Sequence, residues 1–166
     1  MIGYGIQRRG PIPAGRLLQL VLLTRPYSWV DAATTGLMGA WLGAPYGHAG
    51  AYCAAAVASL LLWFGFNFYS EYVQEDPGRL RPPLLLIAVS LMVGTGVAVL
   101  AGGVRAAGAT GAFLLLTLLY PYKAKSRYLG PLGPSIRGCQ TACLFLLGYA
   151  IAGDGGPSFS VVTGFV

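Results

Sequence analysis

Apolar residues run without a charge over Ala32–Ser70, Pro82–Val104, Ala106–Tyr122 and Gly138–Gly153. The runs are continuous instead of alternating, which excludes the strand pattern of a transmembrane β-barrel. A helix needs about 20 residues, rising 1.5 Å each, to cross the hydrocarbon of a bilayer. The first run is too long for one crossing, and Ala44-Pro-Tyr-Gly-His-Ala-Gly50 divides it with turn residues. The pattern therefore predicts five spans, at about 27–44, 51–70, 82–104, 106–122 and 134–153. Pro82-Pro83 opens the third, Tyr120-Pro121 closes the fourth, and Pro131-Leu-Gly-Pro134 precedes the fifth. Ahead of them, 16–25 is apolar between Arg16 and Arg25, too short to cross, and reads as an interfacial helix after a 1–15 tail. Arg25-Pro-Tyr-Ser-Trp29 stands where a signal peptide carries small residues, so retention of the N-terminus is expected. Residues 154–166 read as a tail or the start of a sixth helix. The expected fold class is all-α, a polytopic membrane protein with a single membrane domain.

Composition strengthens this picture. Charged residues make up 10% of the 166, against roughly 25% in soluble domains, and AVILMFWYC residues reach 55%. Too few charges remain to cover a soluble surface. The net charge of +6 does not point to nucleic acid, because the basic residues gather in predicted loops. Arg8, Arg9, Arg16, Arg25, Arg79, Arg81, Lys123, Lys125, Arg127 and Arg137 share one side of the five-span layout, and Arg105 alone takes the other. That asymmetry places the N-terminus and both charged loops in the cytoplasm of a multi-pass protein, as in a bacterial or archaeal plasma membrane. Three cysteines without zinc-like spacing give no disulfide framework, and Cys139 and Cys143 read as packing residues.

The few acids carry the chemistry. Of Asp31, Glu71, Glu75, Asp76 and Asp154, three fall at the cytoplasmic end of the second span. Steps of four residues return to nearly the same helical face, so Asn67, Glu71 and Glu75 form one polar stripe. Carboxylates are unfavourable at a helix C-terminus, which already carries partial negative charge. A cation relieves that repulsion, and an all-oxygen site suits Mg²⁺. The alternative is a stripe that ends the span in water, paired with Arg79 and Arg81. Across the same membrane face, Tyr120-Pro-Tyr-Lys123-Ala-Lys125-Ser-Arg127-Tyr128 adds cations and tyrosines. Carboxylates for metal opposite cations for phosphate suit a diphosphate held through Mg²⁺.

These residues resemble the N-terminal half of the UbiA family of intramembrane aromatic prenyltransferases, which has nine transmembrane helices. The family's Asn-x-x-x-Asp-x-x-x-Asp motif is similar to Asn67-x-x-x-Glu71-x-x-x-Glu75, and Arg81-Pro82 to the Arg-Pro after it. Arg25-Pro26 is similar to the opening of the family's first helix, and Tyr120-Pro121 with Lys123 and Lys125 to its tyrosine and lysine loop. The likeness covers 16–153 in order. It implies half of a nine-helix bundle and Mg²⁺-dependent transfer of a polyprenyl group from its diphosphate to an aromatic or other hydrophobic acceptor. It further implies Glu71, Glu75 and Asp76 on the metal with Asn67 orienting it, and Arg81, Lys123 and Lys125, with Arg79 and Arg127, on the diphosphate. Tyr120, with Tyr69 and Tyr72, would stabilise carbocation character through ring faces.

Two features depart from the family pattern. Glutamate replaces both aspartates, and the second aspartate-rich motif with the last four helices has no counterpart. The expectations are a fragment of a longer frame, one subunit of a split enzyme completed by a second polypeptide, or a degenerate relative. The competing function is a non-catalytic membrane subunit that binds a lipid or quinone. A small transporter fits less well, because the ionisable groups cluster at one face and not at midplane. His48 is expected to be inert in an outer turn, Asp31 to hydrate at the interface, and Gly36, Gly39, Gly43, Gly94 and Gly96 to permit close helix packing.

Overall fold

The computed structural model describes residues 26–73, 82–124 and 132–153, with Gly15, Leu18 and Val21 ahead of them. Most of the described residues, which contain no strand, fall in four helices: α1 (Tyr27–Gly43), α2 (Ala49–Val73), α3 (Leu84–Ala124) and α4 (Leu132–Ala152). Prolines and glycines set their limits. Pro26 precedes α1, and its carbonyl accepts the Trp29 N–H at 3.1 Å. At the other end Ala44 is extended, φ −153° and ψ 90°, as a residue before proline prefers. The Gly47 N–H then bonds the Ala44 carbonyl at 2.9 Å, closing the turn expected at 44–50. Most of the proposed interfacial segment, 16–25, lies outside the described residues.

α3 is 41 residues long, and its helical geometry fails at one position, Gly103, with φ 61° and ψ −147°. That conformation is close to glycine-only. The helix folds back there. Ala88–Val99 and Leu114–Leu118 line the same cavity, although 30 residues of straight helix would separate Ala88 from Leu118 by about 45 Å. The sequence places this reversal at Arg105, but Arg105 is helical and belongs to the second arm. A charge marks the neighbourhood of the turn, while backbone freedom fixes the residue. Pro121 does not close the second arm either, since the helix continues to Ala124. A Cβ at Gly103 has open space around it. Gly103→Ala should therefore destabilise the protein by about 1–3 kcal/mol through backbone strain alone. A detergent unfolding titration checks this, and D-alanine placed at 103 by semisynthesis should restore stability.

α2 and α4 form the centre of the bundle. Each packs against the other and against both α1 and α3. The core is alanine-rich near the start of α2, at Ala55 and Ala58, and aromatic near its end, at Trp63 and Phe66. Phe113, Leu144 and Leu147 close it from α3 and α4. The outer surface is as apolar as the core: Leu100 and Val104 are each 90% exposed. Only 22% of the most apolar stretch of α3 is buried, at a mean hydropathy of 2.5. A water-facing helix would carry polar residues there, so this surface matches hydrocarbon. α2, α3 and α4 are long and apolar enough to cross a membrane, whereas α1 has 17 residues.

Candidate functional site

The site is built on the last three turns of α2. Trp63, Phe66, Asn67, Ser70 and Glu71 are all buried there. The Trp63 indole N–H donates to Ser28 Oγ at 2.8 Å, which fastens the start of α1 to this part of α2. Trp29 adds an edge contact to Phe64, 5.2 Å between centroids. Trp63 and Phe66 lie 5.2 Å apart, and Phe66 meets Tyr120 of the second α3 arm edge-on, also at 5.2 Å. Three helices thus join through one aromatic wall.

Beside that wall, the first two members of the expected stripe are present. Asn67 is 1% exposed and Glu71 8%, one turn apart on the same face of α2. Glu71 is accordingly not a carboxylate hydrating in bulk water at the end of a span. Burial of a charged group next to the negative end of a helix favours compensating positive charge or hydrogen bonds. Glu75, Asp76, Arg79, Arg81, Lys125 and Arg127 lie outside the described residues. Lys123 falls in the last turn of α3. Among the described residues no group of three or more His, Cys, Asp or Glu side chains gathers as a metal site.

α4 contributes residues that the sequence did not single out. Arg137 sits with its guanidinium carbon 5.6 Å from the Trp63 ring and 5.9 Å from the Phe66 ring. One turn further, Gln140 is fully buried and donates from Nε2 to Thr117 Oγ1 at 3.2 Å. Thr117 in turn donates to the Phe113 carbonyl at 2.9 Å. A signal was available: Arg137-x-x-Gln140 places two polar side chains on one face of an otherwise apolar run.

An apolar cavity of about 740 Å³ lies between the two arms of α3, with Tyr69 on its wall and Thr95 and Thr117 as polar points. It does not open on the carboxylate stripe. Two residues of helix turn through about 200°, so Tyr69 stands on the opposite face of α2 from Asn67. Phe66 and Tyr120 lie between the two faces, and Gln140 reaches the cavity lining through Thr117. Of the three tyrosines expected near a carbocation, Tyr69 lines the cavity, Tyr120 joins the aromatic wall, and Tyr72 is half-buried beside Glu71 in sequence.

The remaining expectations divide. His48 and Asp31 are exposed, and the Asp31 carbonyl accepts the Thr34 and Thr35 hydroxyls. Cys143 packs in the core, but Cys139 is exposed and is not a packing residue. Gly36, Gly39, Gly43 and Gly94 approach neighbouring helices closely, whereas Gly96 lines the cavity with nothing near enough to exclude a side chain. Compared with known proteins, the chain matches no family model, no curated protein and no solved structure.

Proposed function

We propose that this chain is a UbiA-like, Mg²⁺-dependent prenyltransferase, or the donor-binding half of one, that moves a polyprenyl group from its diphosphate to an aromatic or other lipid-soluble acceptor. One observation supports it above the others: Asn67 and Glu71 are buried at the end of α2 beside an aromatic wall. In this reading α1, α2, the two arms of α3 and α4 make five crossings, with the N-terminus and the basic loops cytoplasmic. A second polypeptide or further helices complete the wall facing the carboxylates.

The donor set fits Mg²⁺. A carboxylate and an amide oxygen one turn apart are hard ligands, and they leave positions for water and phosphate oxygens. When bound, Mg²⁺ neutralises the negative charge that grows on the leaving diphosphate. The allylic carbon–oxygen bond breaks with its electron pair staying on the diphosphate oxygen. The acceptor then bonds to the allylic carbon and releases a proton. Glu71 and Asn67, with Glu75 and Asp76, would hold the metal at the donor end. Lys123, Lys125, Arg79, Arg81 and Arg127 supply fixed positive charge to the diphosphate. The aromatic wall of Trp63, Phe66 and Tyr120 excludes water, and the partly exposed Tyr120 offers a ring face to the developing cation.

Isothermal titration of farnesyl diphosphate into the detergent-solubilised chain tests the reading. Binding should require Mg²⁺ and weaken sharply when Glu71 and Glu75 both become Gln; an unchanged affinity removes the proposal. The apolar cavity on the other face of α2 favours a second reading, a non-catalytic subunit that holds a lipid or quinone. Quinone binding with no response to Mg²⁺ would support that alternative.

A further inference from the structure

At the end of the bundle away from the carboxylates, where α1 and α4 finish and α3 reverses, there is a second cavity. It measures about 390 Å³, and its walls are Ala101, Val104 and Arg105 of α3 with Ala150, Ile151 and Gly153 at the end of α4. The reversal of α3 lies directly against the last turn of α4: a Cβ at Gly102 would stand 3.0 Å from Ile151 Cα and 3.1 Å from the Ala150 carbonyl oxygen. Two opposite charges share this space. Arg105 is exposed, and it is the only charged side chain that the described residues place at this end. Across the same cavity is the C-terminal end of α4, where the last carbonyls lack partners within the helix and carry partial negative charge. The Gly153 N–H takes up one of them, that of Tyr149, at 2.8 Å. Arg105 has five N–H donors, so a contact within the protein leaves donors for a further anion. The rim is apolar. Val104 on the wall and Leu100, one residue before Ala101, are each 90% exposed and continue the hydrocarbon-facing surface.

We propose that this cavity holds the headgroup of a zwitterionic phospholipid of the phosphatidylethanolamine type. Arg105 takes the phosphate, which suits a guanidinium by charge and by its paired donors. The ammonium donates to carbonyls at the end of α4, and the acyl chains lie along Val104 and Leu100. Each part of the site selects for this lipid. A choline head has no N–H to donate, so phosphatidylcholine forfeits the α4 contact. Phosphatidylglycerol brings a net anion to a cavity that also carries the negative end of a helix. A soluble zwitterion has no chains to cover the apolar rim. The site uses no residue of the carboxylate stripe and needs nothing from the prenyl-donor reading, only a chain that sits in a membrane.

Native mass spectrometry of the full detergent-solubilised chain tests the site, with phosphatidylethanolamine, phosphatidylcholine and phosphatidylglycerol of one acyl composition added in equal amounts. The wild type should retain phosphatidylethanolamine at least fivefold over either competitor, and free phosphoethanolamine should not displace it. Arg105→Gln should abolish the preference, and Arg105→Lys, which keeps the charge, should restore most of it. Ala101→Phe adds bulk at an exposed position on the cavity wall and leaves Arg105 in place, and it should lower retention to the same degree. Equal retention of the three lipids by the wild type overturns the proposal. A preference for phosphatidylglycerol would mark a plain cation site and overturns it as well. So does a preference for phosphatidylethanolamine that survives both Arg105→Gln and Ala101→Phe, because the lipid then sits elsewhere on the bundle.

Discussion

Gly148→Leu should cost the bundle about 3 kcal/mol, the upper end for an overpacked site. A Cβ at Gly148 would run into the Gly36 carbonyl and the Ala40 N–H of α1, and one at Gly39 would strike the Phe145 carbonyl of α4. These are backbone atoms on both sides. No rotamer change relieves the clash, so α1 and α4 must separate. In hydrocarbon little apolar surface is gained when helices meet, and close backbone approach through small residues supplies the contact energy instead. Gly111→Leu is the matched control. That glycine is helical with open space around it, so the same substitution should change stability by about 0.5 kcal/mol or less. Unfolding by SDS titration, followed by circular dichroism, distinguishes the two variants. Equal stabilities would remove the α1–α4 contact from the account.

The joint substitution of Glu71 and Glu75 by Gln should lower Mg²⁺-dependent affinity for farnesyl diphosphate by more than about tenfold, each tenfold being about 1.4 kcal/mol. Glutamine keeps the length, the shape and the hydrogen-bonding oxygen, so the change isolates charge. A hard divalent cation depends on anionic oxygens to replace its tightly held waters, and neutral amides do so poorly. Binding measured without Mg²⁺ should be weak and equal in both proteins. A merely structural role for Glu71 predicts the reverse: lower stability, with the Mg²⁺ dependence retained.

Much of this arrangement is legible in the sequence because it depends on local rules. Pro26, Pro45 and Pro82-Pro83 bound helices wherever they fall, and the apolar runs between them give the elements. The turn in α3 shows where local rules mislead. Arg105 marks it by charge, but Gly103 makes it, because the required φ of 61° excludes a side chain two residues earlier. The four-residue spacing of Asn67 and Glu71 is equally local, whereas their burial depends on tertiary packing and cannot be read from α2 alone. Arg137 is the clearest case. In the sequence it is one more cytoplasmic charge, since the ring it covers, Trp63, lies 74 residues earlier. The cavity also needed the fold, because only the reversal at Gly103 brings Met92 and Leu118 to one space.

The central claim is that a divalent ion bridges the carboxylates at the end of α2 to the diphosphate of a lipid donor. Electron–nuclear double resonance with Mn²⁺ in place of Mg²⁺ measures that bridge. Glu71 and Glu75 are the only glutamates in the chain, so ¹³C-labelled glutamate reports on this site alone. With farnesyl diphosphate present, the ion should couple both to ³¹P and to glutamate ¹³C, and Glu71→Gln should weaken both couplings. A ³¹P coupling without any from glutamate, unchanged by Glu71→Gln, would contradict the account.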